Sequence, residues 1–355
     1  MERYINSFAT ENDIQIALEN GELLKPYVAY IEDVDRIDWN SKEKVDYTTE
    51  YLTFNILSAG TINWTASKTD VTKTIDYKLN NGEWVSITSN TEASAPTITV
   101  NSGDKLQFKG SNTQYASGSS KYNSFSNSTA SFEIEGNIMS LIYGDDFKNK
   151  LTISSTYAFA GLFRNCTNLV SAENLVLPAT TLAESCYGRM FAGCTSLTTA
   201  PALPATTLAG DCYSYMFDNC KSLTTAPALP ATTLAGYCYS YMFGRCASLT
   251  TAPALPATTL ADSCYSSMFW NCTSLTTAPA LPATTLGRWC YLRMFLGCTN
   301  LNYIKCLATN ISASDCTNTW VDGVASTGTF VKAASMESWP TGTKGIPTGW
   351  TVQNA

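Results

Sequence analysis

The chain contains no histidine. Imidazole is the commonest general base near neutral pH and the commonest protein metal ligand, so Ser-His-Asp and Cys-His catalysis and histidine-containing zinc sites are excluded. Charge is also scarce, at 14% of 355 residues, against roughly 25% in ordinary globular domains. The surface must therefore be made largely of Thr, Ser, Asn, Gly and Tyr. Lys and Arg number 22 against 29 Asp and Glu, and no basic patch offers a footprint for nucleic acid or an anionic membrane. No run approaches the ~20 apolar residues that cross a bilayer. The opening "MERYINSFATENDIQIALENG" lacks the basic start and apolar run of a secretory signal. These gaps lead us to expect no nucleic-acid partner, no membrane insertion, no metal, no cofactor and no Sec export.

What is present divides the chain into four parts. Residues 1–47 form an acidic attachment segment; residues 1–50 alone hold twelve Asp/Glu and five Lys/Arg. Within it, "ENDIQIALENGEL" suits a short helix and "YVAYIEDVDRIDW" a strand. Residues 48–147 alternate apolar and polar residues between Gly/Asn/Ser turns, as in "TIDYKLNNGEWVSITS" and "TITVNSGDKLQFKG". That pattern predicts an antiparallel β-sandwich with a hairpin at "NNGE". "GSNTQYASGSSKYNSFSNST" within it reads as a long, polar, mobile loop. Residues 331–355 depart from the pattern before them and are expected to cap it.

The part between, 148–330, is repetitive. Cys194, Cys220, Cys246, Cys272 and Cys298 stand 26 residues apart, and so do Cys186, Cys212, Cys238, Cys264 and Cys290. In "TTLAESCYGRMFAGC", Leu182, Cys186, Met190 and Cys194 are spaced by four, with Ala183, Tyr187 and Phe191 beside them. This predicts the apolar face of a three-turn α-helix, capped by Thr180 or Thr181. "SLTTAPALP" predicts a short extended segment stacked in parallel with its neighbours. The expected fold is thus a β-sandwich followed by an α/β leucine-rich-repeat solenoid of about six 26-residue strand-plus-helix coils. The thirteen cysteines are read as small hydrophobes on the packed face, because Cys186 and Cys194 stand too far apart along a helix to bridge.

Each repeat keeps Cys-Tyr, Met-Phe and Cys and changes the pairs between them. Those pairs are rich in Tyr, Ser, Gly, Asp, Asn, Arg and Trp, the residues of a binding surface rather than of an unconstrained helix face. On a helix all of them would face away from the core, side by side on the convex surface. The candidate ligand-binding residues are Arg189, Asp211, Tyr215, Asp218, Asn219, Tyr237, Tyr241, Arg245, Trp270, Asn271, Arg288, Trp289 and Arg293. The aromatic rings would stack on sugars or fill partner pockets, and the arginines would pair with acidic groups. No catalytic residue is expected. Glu83, Asp104, Glu133 and Glu135 of the β-domain are the carboxylates a glycan-active enzyme would need, and no pair has a recognisable catalytic context.

The string "MFAGCTSL" and its repetition resemble the BspA-type leucine-rich repeats of gut and oral Bacteroidetes, over roughly 150–330. Members of that family are commonly secreted adhesins. The layout of acidic head, β-domain, repeats and "GIPTGW" tail resembles proteins carried by phages and prophages of Bacteroides. The resemblance implies a non-enzymatic phage tail- or fibre-associated component located on the virion. It would bind a host cell-surface glycan or protein and attach to other virion proteins through residues 1–147. It leaves homo-oligomerisation open, and a bacterial cell-surface adhesin is the alternative.

Overall fold

The structure, a computed structural model, describes residues 36–38 and 43–355, with side chains from residue 46 onward. The expected helix at 11–23, and all but residues 36–38 of the expected strand at 27–39, lie outside the described residues. β1 (Arg36–Asp38) pairs antiparallel with β2 (Glu43–Val45).

The β-domain that follows contains β3 (Leu52–Ile56), β4 (Gly60–Asn63), β5 (Thr65–Ala66), β6 (Thr74–Leu79), β7 (Val85–Thr88), β8 (Thr97–Val100), β9 (Lys105–Lys109), β10 (Ala116–Gly118), β11 (Lys121–Ser124) and β12 (Phe132–Asn137), then a one-turn helix, α1 (Ser140–Tyr143). With β13 (Leu169–Val176), the main sheet has the order β13-β12-β3-β9-β6-β7. Two smaller ladders, β4-β8 and β10-β11-β5, complete the domain. Period-two alternation puts Leu106 and Phe108, and Phe132 and Ile134, into the core. Phe54 stacks on Phe132 at 4.7 Å, and Phe125 joins Phe54 and Phe108 at 4.8 Å each. Trp64, 4.8 Å from Phe125, ties the small ladders to this cluster. Each such ring pair contributes about 0.5–1.5 kcal/mol beyond its burial.

The repeats do not form the expected strand-plus-helix coils. Among the described residues the one α-helix is α1, in the β-domain, and the segments read as helices are runs of consecutive turns. An α/β leucine-rich-repeat solenoid is therefore the wrong description. Thr181 is not a helix cap; it bridges Thr207 of the next coil. The Thr/Pro side is barely a sheet in the middle coils, being reduced to isolated parallel bridges such as Thr225↔Thr251 and Thr233↔Thr259. Proline removes backbone donors there, which limits pairing.

The backbone of the turn segment explains what replaces the helix. Alternate amides divide the work. Cys186, Gly188, Met190, Ala192 and Cys194 donate their N–H to the carbonyl three residues back, at 3.0–3.3 Å. Ser185, Tyr187, Arg189, Phe191 and Gly193 donate instead to Gly210, Cys212, Ser214, Met216 and Asp218 of the next coil, at 2.8–3.0 Å. Half of the amides close local turns and half bind coil to coil, so the run is satisfied without helix or strand. Every fourth residue has a positive φ: Ser185 at 54°, Arg189 at 58° and Gly193 at 81°. A positive φ at the third residue of a turn is the mark of type II. The repeat of this backbone is four residues, two facing in and two facing out.

The inward residues stack on their counterparts. Tyr187, Tyr213, Tyr239, Tyr265 and Tyr291 form one file with ring centroids 5.8–6.3 Å apart. Phe163, Phe191, Phe217, Phe243, Phe269 and Phe295 form a second at 5.3–5.8 Å. All thirteen cysteines are free and buried. Cys194, Cys220, Cys246, Cys272 and Cys298 point their Sγ at the carbonyl of a Phe one coil back and three residues upstream, at 2.9–3.2 Å. Burial pushes the Cys186 and Cys238 thiols up to about 12, so they stay protonated and unreactive.

Both ends of the stack are closed by the same chemistry. β12 is antiparallel to β3 and parallel to β13, so one strand belongs to the β-domain and to the first coil. The segment read as a mobile loop is instead the hairpin β10-β11 and its flanks. Through it Tyr115 and Phe125 donate amides to Ala158 and Leu162 of the first coil, at 2.8 and 3.0 Å. Their rings continue the two files onto Phe159 and Phe163. At the far end β14 (Tyr303–Cys306), β15 (Thr329–Lys332) and β16 (Thr351–Asn354) form a parallel sheet. Trp320 receives both files, stacks on Trp339, and donates its indole N–H to the Gly345 carbonyl at 2.8 Å.

Candidate ligand-binding face

The four-residue backbone period, not a helical wheel, decides which way each variable residue points. The variable pairs lie on the side away from the aromatic files, but they are not uniformly exposed. Ser185, Ser214, Ser240, Ser263, Ser266, Ser267 and Asp218 are buried. Ser240 and Ser266 donate their hydroxyls to carbonyls of the next coil, at 3.2 and 3.3 Å. The second member of each pair is the residue at positive φ, as at Tyr215 (58°), Tyr241 (56°), Trp289 (56°) and Arg293 (55°).

Six of the predicted residues form one connected ridge across four coils. The Arg189 guanidinium lies 4.2 Å from the Tyr215 ring centroid. Tyr215 stacks on Tyr241 at 4.4 Å with an interplanar angle of 5°. Tyr241 meets Trp270 edge-on at 6.0 Å, and Arg245 covers Trp270 at 5.4 Å. Arg245 then donates from Nε to Asp218 Oδ1 at 3.1 Å, with a second, close contact between its terminal nitrogen and Oδ2. Burial raises the Asp218 carboxyl above its ordinary value even with Arg245 opposing it, so the pair holds the ridge in place more than it stabilises the fold.

The other predicted residues have different settings. Arg288 lies over Trp289 at 3.6 Å in the sixth coil, apart from the ridge. Tyr237 and Arg293 are exposed. Asn219 and Asn271 occupy positive-φ positions at 63° and 56°, where Asn is among the better tolerated residues. Asp211 is half-buried at the Arg189 end of the ridge, and desolvation raises its carboxyl while the Ser214 hydroxyl pulls the other way.

Asp211 belongs to a cavity of about 210 Å³ where the β10-β11 turn meets the first coils. Its walls include Ser119 and Tyr122 of the β-domain, Tyr157 and Arg164 of the first coil, and Glu184 and Arg189 of the second. Arg164 donates to the Ser119 carbonyl at 3.1 Å and covers the Tyr122 ring at 4.9 Å. Sequence reasoning missed Ser119, Tyr122, Tyr157 and Arg164, because they come from outside the five well-matched repeats. The one local signal is the small-residue pair Gly161 and Gly188, which leaves room where later coils carry side chains.

The β-domain carboxylates do not converge. Asp104 accepts from the Asn101 amide at 2.7 Å and from Asn80 at 2.9 Å. Glu135 pairs with Lys105 at 3.5 Å, Glu133 stands opposite Asn55, and Glu83 sits in the turn between β6 and β7. Among the described residues no group of three or more Cys, Asp or Glu could hold a metal, and no helix is long and apolar enough to cross a membrane. Compared with protein-family models, with curated proteins and with solved structures, the chain matches none.

Proposed function

We propose that the chain is a non-enzymatic recognition protein whose turn face binds a glycan or protein on a host-cell surface. The observation that carries this reading is the choice of residue at positive φ. Glycine would occupy these positions without strain, whereas an L side chain costs roughly 1–2 kcal/mol there. The chain nonetheless places Arg189, Tyr215, Tyr241 and Trp289 at φ between 56° and 58°. Residues kept against local backbone preference, three of them (Arg189, Tyr215 and Tyr241) gathered with Trp270 and Arg245 in the ridge, are those that anchor interfaces. Following the resemblance noted above, we assign the chain to a phage tail or fibre, with residues 1–147 toward the particle.

The test uses substitutions the repeat itself contains. Tyr215→Ser, Tyr241→Ser, Trp270→Ala and Trp289→Ser copy Ser267, Ser267, Ala192 and Ser263 at the matching positions. The combined variant should fold with an unchanged melting temperature. It should bind intact Bacteroidetes cells at least about tenfold more weakly than the wild type, a difference of about 1.4 kcal/mol. Equal binding by the two proteins would reject the turn face as the contact surface.

A further inference from the structure

The cavity between the β10-β11 turn and the first coils has a chemistry that narrows its ligand. It opens because Ala160 and Gly188 stand where the next coils carry Ser214, Ser240, Ser266 and Leu292. A Cβ placed on Gly188 would lie 3.3 Å from the Ser185 carbonyl and 3.6 Å from that of Asp211. The walls bring two carboxylates, Glu184 and Asp211, together with two guanidiniums, Arg164 and Arg189. An anion would face the carboxylates and a cation the guanidiniums, while an apolar molecule would cover charged groups without offering them a hydrogen bond. An uncharged molecule dense in hydroxyls satisfies both sets, since each hydroxyl both donates and accepts. Asp211 is half-buried in the wall of the cavity, with the Ser214 hydroxyl on its carboxylate and acceptor capacity to spare. Neighbouring hydroxyls would supply charge-assisted hydrogen bonds to it. Tyr122 and Tyr157 add ring surface for a C–H face.

We infer that this cavity is a saccharide site that takes a neutral sugar unit, with the rest of the glycan running from Arg189 along the stacked Tyr215 and Tyr241. This rests on the recognition reading above and names its ligand class.

Saturation-transfer NMR on the full chain tests it, with the methyl glycosides of glucose, galactose, mannose and N-acetylglucosamine as probes. Free alanine, acetate and methylammonium serve as the zwitterion, anion and cation arms. At least one glycoside should give saturable transfer. Gly188→Leu, which copies Leu292, should weaken it at least about tenfold with an unchanged melting temperature. If Gly188→Leu melts early, Gly188→Ser, which copies three other coils, should give a smaller weakening. The four-residue ridge variant should keep the glycoside signal. Transfer from none of the glycosides, undiminished transfer in the filled variant, or transfer only from alanine, acetate or methylammonium would overturn the assignment. If the glycosides fail while the ridge variant still loses cell binding, the cavity inference falls alone. If the ridge variant binds cells normally, the wider reading falls instead.

Discussion

The two sides of the turn run share one backbone and one hydrogen-bond pattern, yet they obey opposite rules. Inside, Cys, Tyr, Met, Phe and Cys recur with almost no change, because each side chain packs against its own copy in the coils before and after. A change of one ring there is felt by both neighbours. Outside, the backbone fixes where each side chain starts but not what it is, since the coils are already joined through amides and carbonyls. A fold held together by main-chain bonds and one packed side leaves the other side free to vary. The Thr/Pro side is also nearly constant, so the freedom belongs to the outer turn side rather than to surface in general.

The contrast can be attacked from the inside first. Phe217→Ala removes a ring stacked between Phe191 and Phe243 at 5.5 and 5.7 Å. It should cost about 3–5 kcal/mol, read by denaturant unfolding. A loss below about 1 kcal/mol would show that the file is not a continuous packed unit. A subtler change concerns the tyrosine hydroxyls. Those of Tyr187 and Tyr239 are buried with no hydrogen-bond partner among the described residues, and Phe159 already holds the matching place in the first coil. Tyr187→Phe should therefore raise stability by about 1 kcal/mol, the lower end of the cost of an unsatisfied buried polar group. An equal loss would reveal a partner for the hydroxyl. The smallest effect lies outside. Arg293 is exposed at φ 55°, and Gly161 holds the matching place in the first coil. Arg293→Gly should stabilise by about 0.5–1 kcal/mol as relief of left-handed strain outweighs the extra chain entropy. A destabilised variant would mean that the arginine side chain contributes contacts that outweigh the strain.

The sequence carried more of this backbone than a helical reading extracted. An α-helix turns 100° per residue, so steps of four drift by 40° and a real helical stripe mixes spacings of three and four. Leu182, Cys186, Met190 and Cys194 never use a three. Asn165, Gly193, Asn219, Asn271 and Gly297, each just before a ladder cysteine, are the residue types that accept positive φ. Both signals point to repeating turns. The division of variable from constant positions was legible, and so was the identity of the ridge residues. Their order in space was not, because Tyr215 meets Tyr241 only when coils stack one repeat apart. The cavity was less legible still, since Ser119 and Tyr122 reach it from a segment whose polar composition reads as a loop. That segment is ordered by the coil it covers, through the Tyr115 and Phe125 amides and the rings that those residues bury.

The direction of the coil-to-coil bonds has a consequence for how such a protein can change size. Along the turn run every coil offers backbone acceptors toward the N-terminus and amide donors toward the C-terminus, as Ala158 and Leu162 do for the β-domain and Phe295 does toward Trp320. Two identical coils therefore mate as readily as two different ones, and neither terminal structure senses how many lie between. Gain or loss of a whole 26-residue unit by recombination would lengthen or shorten the variable outer face by one row while every junction stayed the same.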